Sequence, residues 1–223
     1  MNGISYANGE NNTGFIQVPE VTLRSPIDHL VYTLNSWDPG TGFGGARLNA
    51  FVSEEEENVV IVENVITETT TNLHLDIPAN VTLKWGASVS GSNFKIIFSA
   101  GSSGTLEIAA DGMIERTTDG YIIEEWNNND TIFTSLYVTG GTVRGRIVFN
   151  SFGKIVIEDG VVEKITESTP PFPTISIGEK SGGLEISGGV VTGYDNVILY
   201  SSSVPLKIAG GMIVQLTDRK SVV

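Results

Sequence analysis

From Val59 onward the chain sets apolar residues two apart in short runs. The pairs are Leu106/Ile108, Leu136/Val138, Ile155/Ile157, Leu184/Ile186 and Leu206/Ile208. A period of two sends both side chains to one face of an extended strand. Three residues after the second member comes glycine in four copies, at Gly141, Gly160, Gly189 and Gly211, and one residue later in the first, at Gly112. A glycine at a fixed offset predicts a corner with positive φ. A second inward residue follows each corner: Ile114, Val143, Val162, Val191 and Ile213. Counted from Leu106, the copies begin 30, 19, 29 and 22 residues apart, at Leu136, Ile155, Leu184 and Leu206. Strand, glycine corner and second strand recur without a helical period. This predicts an all-β solenoid, a parallel β-helix in which each repeat is one coil. A β-sandwich with regular turns is the competing fold, but it does not explain one motif recurring at matching offsets.

Loops leaving one corner account for the unequal spacing. The 29-residue coil carries Glu167–Pro173, whose prolines exclude a central strand. The 30-residue coil carries Trp126-Asn127-Asn128-Asn129-Asp130. Further strands are predicted at Lys95–Phe98, Tyr121–Ile123, Thr131–Phe133, Arg146–Phe149, Thr174–Ile177 and Val197–Tyr200. Leu75 to Leu83 reads as an earlier copy, 31 residues before Leu106, with Asn80 in the glycine place. Asparagine is the next best residue for a left-handed conformation.

Three segments follow. Residues 1–58 are loop-rich and are expected to supply an N-terminal cap, since a solenoid must cover its ends. Within them Ile16–Val21 is a short strand candidate, and Ile27–Leu34 admits either strand or short helix. Residues 59–217 form the β-helix, with coils of roughly 19 to 31 residues. Residues 218–223, Asp-Arg-Lys-Ser-Val-Val, break the pattern and match one reading frame of a common sequencing adapter. They are expected to be read-through rather than native, with C-terminal coils missing and Met1 in doubt as a start.

Composition narrows the chemistry. The net charge of −13 argues against nucleic acid, which demands a basic footprint. The absence of cysteine excludes disulfides, zinc–thiolate sites and cysteine nucleophiles. No apolar run is long enough to span a membrane, and no signal peptide is visible. Glu54–Glu57 reads as a solvated turn; calcium has no motif of spaced carboxylates here. Hydrolysis needs a carboxylate pair, and the candidates Glu115, Glu158, Asp159 and Asp195 fall at turns or outward positions, where solvated surface is the favoured reading. Arg144 and Arg146 are expected on one outward face beside acidic neighbours, with Lys154 one coil on. His29 and His74 are the two histidines, and His74 is expected to face solvent. No phosphate cradle is present, and no catalytic residue is assigned.

Between the paired apolar residues lies an outward column: Glu107, Tyr137, Val156, Glu185 and Lys207. Stacking at about 4.8 Å brings Glu185 beside Lys207 as a surface ion pair. An exposed Tyr137 on a flat sheet can stack on a sugar ring or on another chain. Trp126 in its insert, and Tyr194 and Asp195 after Gly193, are the other ligand-binding candidates.

The stretch Leu73 to Val89 resembles the opening coil of pectin-lyase-like right-handed parallel β-helices. Leu184–Gly193 and Leu206–Val214 resemble the glycine-pair coils of bacterial cell-surface proteins with carbohydrate-binding or adhesive β-helices. The likeness covers roughly residues 59 to 216, and it implies right-handedness and an extracellular or cell-surface location. The galacturonan-hydrolase signatures Asn-Thr-Asp, Gly-His-Gly and Arg-Ile-Lys are absent, so no catalytic residue carries over. The expectation is a non-catalytic module binding polysaccharide or a cell-surface glycan. A lyase or glycoside hydrolase with truncated active coils, and a structural stalk, are the alternatives.

Overall fold

The computed structural model describes residues 25–40, 46–125, 132–150, 152–165, 171–194 and 196–216. The adapter-like segment, the Ile16–Val21 candidate, Trp126 and Asp195 lie outside them.

A helix, α1, spans Pro26–Ser36 and settles the ambiguity left by the sequence. Ser25 Oγ accepts from Asp28 N at 3.2 Å while the Asp28 carboxylate accepts from Ser25 N at 3.2 Å, with proline at the first turn. This reciprocal capping satisfies donors that a helix start leaves unpaired. Leu30 and Leu34, one turn apart, are both buried. Asn35 then grips the next element: its Nδ2 donates to Ala50 O at 2.9 Å and its Oδ1 accepts from Ala50 N at 2.7 Å.

That element is β1, Asn49–Val52, which runs antiparallel to the first strand of the solenoid. The coils follow in chain order. The first holds β2 (Val59–Glu63), β3 (Val65–Ile66) and β4 (Leu73–Leu75). The second holds β5 (Thr82–Trp85), β6 (Ser88–Gly91) and β7 (Ile96–Phe98), and the third β8 (Thr105–Ile108), β9 (Met113–Arg116) and β10 (Tyr121–Glu125). In the fourth, β11 (Ser135–Arg144) runs through the corner and supplies two successive strand positions of one sheet, pairing with both β8 and β9, followed by β12 (Arg146–Phe149). The fifth repeats this with β13 (Lys154–Glu163) and β14 (Ile175–Ile177). The sixth holds β15 (Gly183–Ile186), β16 (Val190–Gly193) and β17 (Ile198–Tyr200), and β18 (Leu206–Ile208) and β19 (Met212–Gln215) begin another. The result is a parallel β-solenoid of about 6 turns.

Register confirms the inward columns. Val60, Leu83, Leu106, Leu136, Ile155, Leu184 and Leu206 stack in the first row. Ile66, Val89, Ile114, Val143, Val162, Val191 and Ile213 stack in the second. Leu73, Ile96, Ile123, Ile147, Ile175 and Ile198 stack in the third. Apart from the exposed Ile213, these side chains and their neighbours form one apolar core that Leu30 and Leu34 join, with Leu206 and Ile198 packed against it.

Two expectations are corrected. The copy read as starting at Leu75 is displaced, because Leu75 pairs with Phe98 in the third row and it is Leu83 that stacks beneath Leu106. A turn lies between, with Val81 N donating to Pro78 O at 3.1 Å and Asn80 at φ 63°. The apolar residues on its two sides therefore belong to different sheets. Second, the corner glycines are not all alike. Gly160, Gly189 and Gly211 take positive φ, as expected, whereas Gly112 and Gly141 do not.

Candidate functional site

The outward column forms on the first row. Lys84, Glu107, Tyr137, Val156, Glu185 and Lys207 are successive register partners. Ion pairs occupy both its ends: Lys84 Nζ lies 2.7 Å from Glu56 Oε1, and Lys207 pairs with Glu185. The Lys207 ammonium holds the Glu185 carboxyl below its usual range, chiefly through their hydrogen bond. Glu107 Oε1 accepts from Thr139 Oγ1 at 2.9 Å.

Tyr137 stands mid-column, half-buried, with Lys154 Nζ 5.3 Å from its ring centroid. The ammonium over the ring is a cation–π contact. Hydrogen bonding to Tyr137 raises the Lys154 pKa against a smaller desolvation effect. Tyr137 is thus a partly covered ring, and Val156 beside it is buried. Tyr194, just past the end of β16, is half-buried.

On the second row Arg144 sits between Glu115 and Glu163. Its Nε donates to Glu163 Oε1 at 2.6 Å, and its Nη1 lies 3.9 Å from Glu115 Oε1. Arg146 does not share this face, contrary to the alternation argument. Gly145, at φ 140°, turns the chain into the third row, so Arg146 enters β12 only 7% exposed. Its guanidinium carbon lies 4.4 Å from the Tyr121 ring centroid and 4.3 Å from that of Phe172, and its Nε is 3.5 Å from Asp119 Oδ1. Arg116 lies in the same electrostatic neighbourhood, its pKa lowered mainly by burial.

The remaining candidates scatter. Glu158 and Asp159 are exposed at a corner, where Asp159 Oδ1 accepts from Gly160 N at 2.7 Å. His29 and His74 are exposed on α1 and β4. Among the described residues, no group of three or more His, Asp or Glu is placed to hold a metal ion.

One feature escaped the motif. Phe133 and Phe152 stack with centroids 5.0 Å apart and planes 20° apart, yet remain 49% and 44% exposed. Backbone bonds set them on successive coils: Phe133 N donates to Ser102 O at 2.9 Å and Phe152 N to Ile132 O at 3.2 Å. The signal was present in the chain. Each phenylalanine lies three residues before the first apolar residue of its copy, at the offset held by Ser103, Ser181 and Ser203 in the others.

No protein-family model matches this chain, and neither the curated proteins nor the solved structures contain a match.

Proposed function

We propose that this β-helix is a non-catalytic module of an extracellular or cell-surface protein that binds polysaccharide or a cell-surface glycan. One observation carries the reading. Along the outward columns the charged groups are engaged with one another, as in Lys84–Glu56, Arg144–Glu163 and Lys207–Glu185, while large aromatic surface stays in contact with water at Phe133 and Phe152. Exposed aromatic surface of this kind marks recognition sites, and aromatic rings match the apolar face of a sugar. The parallel β-helix fold is compatible with the pectin-lyase-like resemblance, which supports the reading by analogy only.

The test is a glycan array run beside an assay for new reducing or unsaturated ends released from polysaccharide. Retention on the array without product release is the expected result, with Tyr137→Ala weakening retention. Product release would make the protein an enzyme. Silence in both assays would leave a structural stalk.

A further inference from the structure

We propose that the Phe133–Phe152 stack is the ligand-reading element of this face, taking the flat apolar side of one pyranose ring on the outer face of Phe152. The inference rests on the carbohydrate reading above and gives it a site.

At the repeat offset of the two phenylalanines the coils carry Ser103, Phe133, Phe152, Ser181 and Ser203 in turn. The two rings cover each other's inner faces. Beyond Phe152 the next coil supplies Ser181, Gly182 and Gly183, residues with little or no side chain. Gly182 N donates to Gly153 O at 2.8 Å, so that coil sits at normal strand spacing without filling the aromatic column. Among the described residues no third ring continues the stack beyond Phe152, and this end of the stack is where the sugar ring is placed.

The surroundings indicate what kind of ring. A pyranose has an apolar C–H face and a rim of hydroxyls. Phe152 offers the first a partner, and the second meets polar groups along the same two strands. Ser135 and Lys154 follow the two phenylalanines at matching offsets, Lys154 N donating to Ser135 Oγ at 3.4 Å. The Lys154 ammonium reaches on to Tyr137. A nucleobase would also stack, but its phosphate chain would meet a protein of net charge −13. An aromatic side chain of a second copy would fill the gap without using the polar rim.

The experiment is titration of the full chain with hexasaccharides of glucan, mannan, galactan and xylan, with saturation-transfer NMR on the aromatic protons. Wild type is expected to bind at least one hexasaccharide and to transfer saturation to the C–H protons of one sugar face. Phe152→Ala should weaken binding about tenfold, and Phe152→Tyr should keep it within about twofold. Binding that survives Phe152→Ala but is lost with Tyr137→Ala would overturn this site and leave the carbohydrate reading standing. Wild type that binds no hexasaccharide and is silent on the glycan array would overturn both. Concentration-dependent self-association abolished by Phe152→Ala would assign the stack to a second copy instead. The NMR transfer and the tyrosine variant keep the test decisive if the alanine variant folds poorly.

Discussion

At the scale of single residues, the corners show how closely the coils approach. Gly160 bears two constraints together: φ is +81°, and an added Cβ would stand 2.2 Å from Gly141 O in the coil below. Gly141 and Gly112 need no positive φ, yet a Cβ there would meet Ala109 O at 2.3 Å and Trp85 O at 2.1 Å. One sequence feature therefore has two physical causes, left-handed backbone and close approach, and only coil-on-coil contact separates them. Gly160→Ala is predicted to destabilise by about 2–4 kcal/mol, because both constraints are violated. Gly101→Ala, at φ +94° with nothing within 4 Å of its Cβ, should cost about 1 kcal/mol. Denaturant unfolding measures both. Equal losses would show that the approach between coils contributes nothing.

At the scale of elements, alternation within a strand was readable and its continuation through a corner was not. The Glu107–Tyr137–Val156–Glu185–Lys207 column follows from strand parity, and the register reproduces it. Arg144 and Arg146 have the same parity but lie on two sides of Gly145, so one pairs outward with Glu163 and the other packs between Tyr121 and Phe172. The Glu185–Lys207 pair gives a pH prediction. Its carboxyl is depressed in the folded state, so its contribution to stability is complete above the ordinary carboxylate value of 4.5 and fades as pH falls below it. Lys207→Ala should move the Glu185 titration upward, as followed by NMR of its side-chain carboxyl. An unmoved midpoint would mean that the pair does not form in solution.

At the scale of the whole molecule, the first and last described coils differ. The first coil is edged by antiparallel β1, and α1 contributes Leu30 and Leu34 to the core. In the last described strands Ile208 and Ile213 occupy inward register positions but are 51% and 40% exposed, whereas Ile186 and Val191 one coil earlier are fully buried. In a solenoid each coil contacts only its neighbours, so the worth of an inward residue depends on having a coil on both sides. Ile186→Ala is predicted to cost about 2–5 kcal/mol, and Ile208→Ala about 1 kcal/mol, since only about half of its surface leaves water. Urea midpoints for the two variants decide this. A matching loss at Ile208 would show that it is covered in solution.

What the sequence determined by itself is the coil. Period-two pairs at recurring offsets specify strands, inward columns and the need for compact corners, because these depend on neighbours a few residues apart. For Ile27–Leu34 local pattern left strand and helix open, and the helix follows from the Ser25–Asp28 capping and the burial of Leu30 and Leu34 against the core. Contacts between coils decided the rest. Where the first turn falls, and hence that Leu83 rather than Leu75 underlies Leu106, depends on which strands pair. The burial of Arg146, the partial covering of Tyr137 by Lys154, and the meeting of Phe133 with Phe152 all join residues from different coils or from the two sides of a corner. Local alternation carries no information across those gaps, whereas the stacking of one coil on the next does.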